Sequence, residues 1–113
     1  MENLKKLKEY VFHDIDIKNL NIDIEEKELK LTIFEFIEDL KDYKTVEFTF
    51  TKITNLKINE CLFNSDSFLE IYSSELIEIN DEKMFYIDFN LNNGSYQPSS
   101  NINFKFEKVF VKD

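Results

Sequence analysis

Apolar residues recur at every second position along most of this chain, and this pattern constrains the fold more than any other feature. The clearest run spans residues 45–51, where valine and phenylalanine alternate with threonine and glutamate. Successive side chains of a β-strand point to opposite faces of its sheet, so each run predicts a strand with one buried face. Similar runs lie at residues 15–24, 29–33, 56–58, 69–71, 77–79, 85–91 and 102–111. We therefore predict an all-β fold, either an antiparallel sandwich or a curled sheet of six to eight strands.

Irregularities in the pattern predict where the strands bend and where the chain turns. The apolar phase changes between Ile17 and Leu20, which is typical of a β-bulge or of a break between two short strands. The polar clusters Glu25–Glu28 and Asn80–Lys83 predict turns. Asn93–Gly94 predicts another turn, because glycine supplies the positive φ that a tight turn needs. Short turns of this kind make the flanking strands antiparallel neighbours.

Two segments in the first half of the chain allow two interpretations. Residues 2–10 carry leucines at helical spacing and form either a short amphipathic helix or a frayed lead-in. Residues 33–44 are predicted as a strand to about Ile37 followed by a charged loop to Lys44, although their acidic residues would also lie on one face of a helix. We favour the strand, because aromatic and β-branched residues dominate its first half.

Residues 67–78 are ambiguous in the same way. Ser67 and Glu70 match a helix capping box, but the apolar residues on either side of Ser73–Ser74 alternate as they would in strands. We favour two strands here, with the serine pair as a break between them.

Charge limits the classes of partner. The chain of 113 residues is long enough for a single all-β domain, residues 1–113, with its own core. Its 23 acidic residues exceed its 14 lysines, and the net charge of −9 repels nucleic acid and anionic lipid. We expect neither nucleic acid nor membrane as a partner, and the oligomeric state is left open. The acidic excess favours either a basic partner protein or solubility alone.

The sequence predicts a cytoplasmic protein. Its longest uninterrupted apolar run, Met84–Ile87, is far too short to span a membrane. The first residues lack the apolar stretch of a signal peptide. Cys61 is the only cysteine, so no internal disulfide can form, which fits a reducing compartment.

Few residues offer chemistry, and we expect no enzyme, no cofactor and no metal site. A catalytic thiolate needs a base, and His13 is the only histidine that could serve Cys61. Because Cys61 lies beside Leu62, the simpler interpretation is that it serves as a small apolar residue and not as a nucleophile. No arginine and no glycine-rich loop is present to hold a phosphate.

A binding surface is the remaining function that the residues suggest. Acidic residues gather in two predicted loops, one with Glu35, Glu38, Asp39 and Asp42 and the other with Asp81 and Glu82. Exposed Tyr43 or Tyr96 would act there as an anchor for a basic protein. The simpler interpretation of such a loop is a solvated hairpin end. The candidate partner-binding residues are Glu35, Glu38, Asp39, Asp42, Tyr43 and Tyr96.

Two other functions fit the same sequence. Twelve phenylalanines and five tyrosines, if some are exposed, would suit a β-sandwich that binds a small ligand or carbohydrate. A structural domain that associates with itself through an edge strand is the other alternative.

Part of the chain resembles a known group of proteins. His13–Ile15, Leu29–Leu31, Phe48–Phe50 and Ile53–Leu56 together resemble small all-β bacterial immunity proteins of polymorphic toxin systems, over residues 12–59. The resemblance implies an all-β fold and stoichiometric neutralisation of a toxin made by the same or a neighbouring cell. It implies no catalytic role for His13 or Asp14.

Overall fold

The computed structural model describes residues 2–10, 12, 15–59, 68–92 and 100–112. Within these residues the chain forms one helix and eight strands, which confirms the predicted all-β class. The elements are α1 (Glu2–Glu9), β1 (Ile15–Asp23), β2 (Glu28–Ile37), β3 (Asp42–Thr51), β4 (Thr54–Asn59), β5 (Phe68–Ile79), β6 (Glu82–Asn92), β7 (Ser100–Phe106) and β8 (Lys108–Lys112).

The strands form two antiparallel sheets of four strands each. Their order is β4-β7-β6-β5-β1-β2-β3-β8. We call β1-β2-β3-β8 sheet I and β4-β7-β6-β5 sheet II. Strand β1 joins them: Ile15 and Asp16 pair with β5, whereas the strand pairs with β2 from Ile17 onward. The register shifts between Ile17 and Asn19, so the predicted bulge is confirmed and lies where the chain leaves one sheet for the other.

The chain changes sheets at two further places, after β3 and before β8. The end of β3 and the start of β8 lie side by side, since Thr51 pairs with Lys108. After β3 it bends at Lys52, whose φ is 50°, and enters sheet II as β4. After β7 it bends at Glu107, whose N–H donates to the Thr51 carbonyl at 3.1 Å, and enters sheet I as β8. The prediction of one final strand over residues 102–111 was therefore wrong. The buried positions shift from even to odd numbers between Phe106 and Val109, because the bend at Glu107 separates two strands.

The core lies between the two sheets and is rich in phenylalanine. Phe50 of β3 is fully buried and contacts aromatic residues of sheet II. Its ring centroid lies 5.4 Å from that of Phe85, 4.9 Å from that of Phe104 and 5.0 Å from that of Phe106. Stacked and edge-to-face pairs at these distances are favourable beyond the area they bury. The alternating runs at 45–51, 85–89 and 102–106 thus supply the inner faces, as predicted.

Residues 2–9 form helix α1, so of the two interpretations left open for this segment the helix is the correct one. Leu7 is buried in the core, which fixes the apolar face of the helix. The Asn3 side-chain oxygen accepts a 2.9 Å hydrogen bond from the Val111 N–H, and Lys8 forms a 2.8 Å ion pair with Glu78. The helix is thereby attached to β8 of sheet I and to β5 of sheet II.

The two segments that could have been either strand or helix, residues 33–44 and 67–78, form strands where the structure describes them, apart from the turn at 38–41. Strand β2 ends at Ile37, as predicted, but the turn that follows is only residues 38–41, so the charged loop is shorter than expected. Lys41 has a φ of 53°, which lets the chain reverse in so few residues. Strand β5 is continuous through Ser73–Ser74, where a bulge after Ile71 replaces the expected break.

The turn predicted over Asn80–Lys83 is also shorter. Only Asn80 and Asp81 lie outside the strands, and Ile79 pairs with Glu82 directly. Both turn residues have positive φ, 52° and 66°, as in the two-residue hairpin turns that match the twist of antiparallel strands. The expected turn at Asn93–Gly94 lies outside the described residues, as do His13 and Cys61.

Candidate functional site

The hairpin of β2 and β3 carries an exposed aromatic cluster near its turn. Leu31 and Ile33 of β2 point into the core, so Phe34 and Phe36 lie on the outer face of the strand. The register places Tyr43 opposite Phe36, and their ring centroids are 5.2 Å apart in an edge-to-face arrangement. Phe36 is 45% exposed and Tyr43 is 61% exposed, which leaves about half of the aromatic pair open to contact.

Carboxylates lie beside these rings. We call residues 36–43 the hairpin tip. Glu38, Asp39 and Asp42 are all exposed there. Lys41 is the basic residue of the tip and forms an ion pair with Glu38 at 3.2 Å. Three carboxylates against one ammonium leave the tip negatively charged.

The backbone of the tip is ordered by its own hydrogen bonds. The Leu40 N–H donates to the Ile37 carbonyl at 3.2 Å, and the Tyr43 N–H donates to the Asp42 carboxylate at 2.8 Å. Strands β2 and β3 pair without interruption up to Ile37 and Asp42. Leu40, at the turn, is 73% exposed. The rings and carboxylates are therefore held on a paired hairpin, so binding would require little further ordering.

Glu35 does not join the other predicted residues. It lies on the face of β2 opposite to that of Phe36, and its carboxylate accepts a 3.1 Å hydrogen bond from the Tyr10 hydroxyl. The Tyr10 ring packs edge to face on Phe48, with centroids 5.1 Å apart. Glu35 thus helps to attach the segment after α1 to sheet I, and it is a structural contact.

The hairpin tip unites four of the six predicted residues: Glu38, Asp39, Asp42 and Tyr43. Tyr96 lies outside the described residues. Sequence reasoning missed Phe36 and Leu40 as surface residues. For Phe36 the sequence contained an indication, because apolar residues occupy both faces of the predicted strand over residues 33–37. Such a strand is either covered on both sides or exposes one apolar face, and only the structure distinguishes the two.

The described residues contain neither a cluster of potential metal ligands nor a membrane-spanning helix. No group of three or more histidine, cysteine, aspartate or glutamate side chains is placed to hold a metal ion in this part of the chain. No described helix has both the length and the apolar character needed to cross a membrane.

The fold defines an antiparallel β-protein of two four-stranded sheets. No protein-family model and no curated protein matches the chain. A crystal structure of an uncharacterized protein from Neisseria gonorrhoeae is similar to it, with a TM-score of 0.57 and 17% sequence identity. The similarity covers 91% of this chain and 94% of that one. At this identity the likeness concerns the fold alone.

Proposed function

We propose that this protein is a non-enzymatic binding protein whose hairpin tip recognises a basic partner protein. The observation that carries the proposal is the exposed pair of Phe36 and Tyr43 beside the carboxylates of Glu38, Asp39 and Asp42. Large aromatic side chains provide much of the binding energy at protein interfaces when they become fully buried. The neighbouring carboxylates supply the charge that selects a basic surface.

Charge and aromatic contact would act at different stages of binding. The net charge of −9 attracts a basic protein over a distance, and this attraction weakens as salt rises. Once the partner arrives, burial of Tyr43 and Phe36 slows its dissociation. The expected complex therefore forms more slowly at high salt, and the loss of an aromatic ring makes it dissociate faster.

We propose further that the partner is a toxin and that the protein neutralises it in the cytoplasm by covering its active cleft. The resemblance of residues 12–59 to small bacterial immunity proteins supports this proposal. An acidic protein that masks a basic enzyme needs no catalytic residue of its own, which agrees with the few reactive groups in the sequence.

The test is a pull-down from lysate of the source organism with the tagged protein, at low and high salt, read by mass spectrometry. The test variant Glu38→Gln/Asp39→Asn removes two charges from the hairpin tip. The control Glu25→Gln/Glu26→Gln removes two charges from the exposed turn between β1 and β2. We expect one basic protein in near-equal amount, retained by the control and reduced with the tip variant.

Two outcomes would contradict the proposal. Recovery of the bait alone would argue against a binding protein, and equal capture by both variants would remove the hairpin tip as the site. If the captured protein arrests growth when expressed alone, co-expression with this chain should restore growth. Growth arrest that persists on co-expression would refute neutralisation while leaving binding intact.

A further inference from the structure

The outer face of sheet II holds a polar groove that is separate from the hairpin tip. Its volume is about 770 Å³, and its lining comes from all four strands of the sheet. The inner face of the same strands is apolar, with Phe85, Ile87 and Phe104 in the core. Alternation therefore directs a continuous set of polar side chains outward.

The strand registers arrange these side chains in rows that cross the sheet. In the first row Lys57 lies opposite Asn103, Asn103 opposite Tyr86, and Tyr86 opposite Glu75. In the part of the chain that the structure describes, the Asn103 amide forms no side-chain hydrogen bond. It offers two N–H donors and one carbonyl acceptor at the middle of the groove.

The second row is ordered by its own hydrogen bonds. Asn59 lies opposite Asn101 and donates to its side-chain oxygen at 2.8 Å, and Ser73 donates to Asp88 at 3.0 Å. Asn101 and Asp88 are themselves opposite each other on β7 and β6. These contacts use the side-chain oxygen of Asn101 and one of the two carboxylate oxygens of Asp88. The Asn101 amino group is left as a donor and the second Asp88 oxygen as an acceptor.

Donors and acceptors thus recur at the spacing of neighbouring strands, about 4.8 Å. A ligand that matches such a surface must both donate and accept hydrogen bonds at several points along its length. Hydroxyl groups do both. The Tyr86 ring, half-buried beside Met84, adds an apolar surface within the polar lining.

The charges of the groove exclude one broad class of ligand. Glu75 and Asp88 contribute two carboxylates and Lys57 one ammonium. A phosphate or sulfate would meet a net negative lining, in a protein that is already strongly acidic. We propose that this groove binds a neutral polyhydroxylated ligand, a short oligosaccharide, through Asn103, Asn101 and Asp88 with Tyr86 as the apolar contact.

The experiment is a titration of the whole protein followed by amide chemical shifts in NMR. The probes are maltotetraose, cellotetraose and chitotetraose, with sialyllactose as an anionic comparison. They are added to about 10 mM, which is enough to occupy most of a site with a Kd of ~1 mM. We expect at least one neutral probe to shift the amide signals of β6 and β7, and sialyllactose to bind at least tenfold more weakly.

Variants connect the binding to the groove. Asn103→Ala is expected to weaken binding at least tenfold, since it removes two to three hydrogen bonds. Asn103→Leu keeps a similar side-chain size, removes every hydrogen-bonding group and should also weaken binding, so misfolding of one variant leaves the other as a test. Asn21→Ala makes the same change at an exposed position of sheet I and should leave the Kd unchanged.

Three results would overturn this proposal. They are the absence of shifts with every neutral probe, unchanged affinity in a folded Asn103 variant, and equal binding of sialyllactose. The hairpin-tip variant Glu38→Gln/Asp39→Asn serves as a cross-check. It should bind the sugar normally, so the protein-binding function and the saccharide site fail or succeed independently.

Discussion

The centre of the core offers the sharpest test of the packing that supports both surfaces. Phe50 is fully buried, and three rings from sheet II lie within 5.4 Å of its own ring centroid. Phe50→Ala would remove the main aromatic contact between sheet I and sheet II. The surrounding strands are paired on both sides, so they can relax only partly into the space that is left.

The expected cost follows from burial and ring contacts. Truncating a buried phenylalanine to alanine costs about 3–5 kcal/mol, and the three ring contacts place this site at the upper end of that range. A domain of this size has a free energy of unfolding of roughly 5–15 kcal/mol. With a shift of about 4 °C per kcal/mol, a loss of ~5 kcal/mol lowers Tm by roughly 20 °C.

The assay is urea unfolding followed by circular dichroism, with m-values compared between variants. Phe110→Ala is the matched control. Phe110 is in β8 of sheet I, is 49% exposed, and should cost less than about 1 kcal/mol. If the two variants lose similar stability with unchanged m-values, Phe50 is not at the centre of a packed core and the account of the two-sheet packing is wrong.

Three further predictions concern the surface, a half-buried acid and a turn. Tyr43→Ala should weaken binding of the captured partner by tenfold or more while changing the free energy of unfolding by less than about 1 kcal/mol, because the ring is mostly exposed; comparison of Kd by calorimetry with urea unfolding checks the split. Partial burial raises the pKa of Asp16 in β1, so the folded state disfavours the charged carboxylate. Asp16→Asn should therefore raise Tm at pH 7, and this gain should shrink as the pH falls toward 3 and the wild-type carboxylate becomes protonated. A Tm difference between variant and wild type that stays constant or grows as pH falls would contradict this. Asp81→Gly should raise the free energy of unfolding in urea by about 0.5–1 kcal/mol. Asp81 has a φ of 66°, and glycine adopts positive φ more easily than aspartate, so Asn-Gly fits this two-residue turn better than Asn-Asp. A loss of stability would show that the aspartate side chain contributes more than the backbone conformation costs.

The strands themselves could be predicted because their signal is local. Alternation at 45–51 and 85–89 identifies the buried face of each strand without knowledge of its neighbours. The phase change after Ile17 identifies the bulge for the same reason. Where two periods coexisted, as in residues 33–44, local pattern was insufficient. There the pairing of β2 with β3 along their whole length favours the strand over the helix.

The acidic half of the hairpin tip could be predicted, and its aromatic half could not. Glu38, Asp39 and Asp42 are charged residues near a turn, and charge favours exposure wherever the fold places it. Phe36 is apolar, so its position depends on whether another element covers the outer face of β2. That is a property of the assembled sheets, and no neighbouring residue in the sequence encodes it.

Three properties follow from the amino-acid sequence without its three-dimensional arrangement: the chain forms strands, most strands have an identifiable buried face, and the protein is acidic. The first two depend on residues close together in the chain, and the third depends on composition alone. The tertiary structure decided the order of the strands, the passage of β8 to the opposite sheet, and the polar groove. The groove combines residues 57–59, 73–75, 86–88 and 101–103, and these become neighbours only when strands distant in sequence pair. Pairing of that kind depends on loop closure and core packing over the whole chain, and a local pattern carries no record of it.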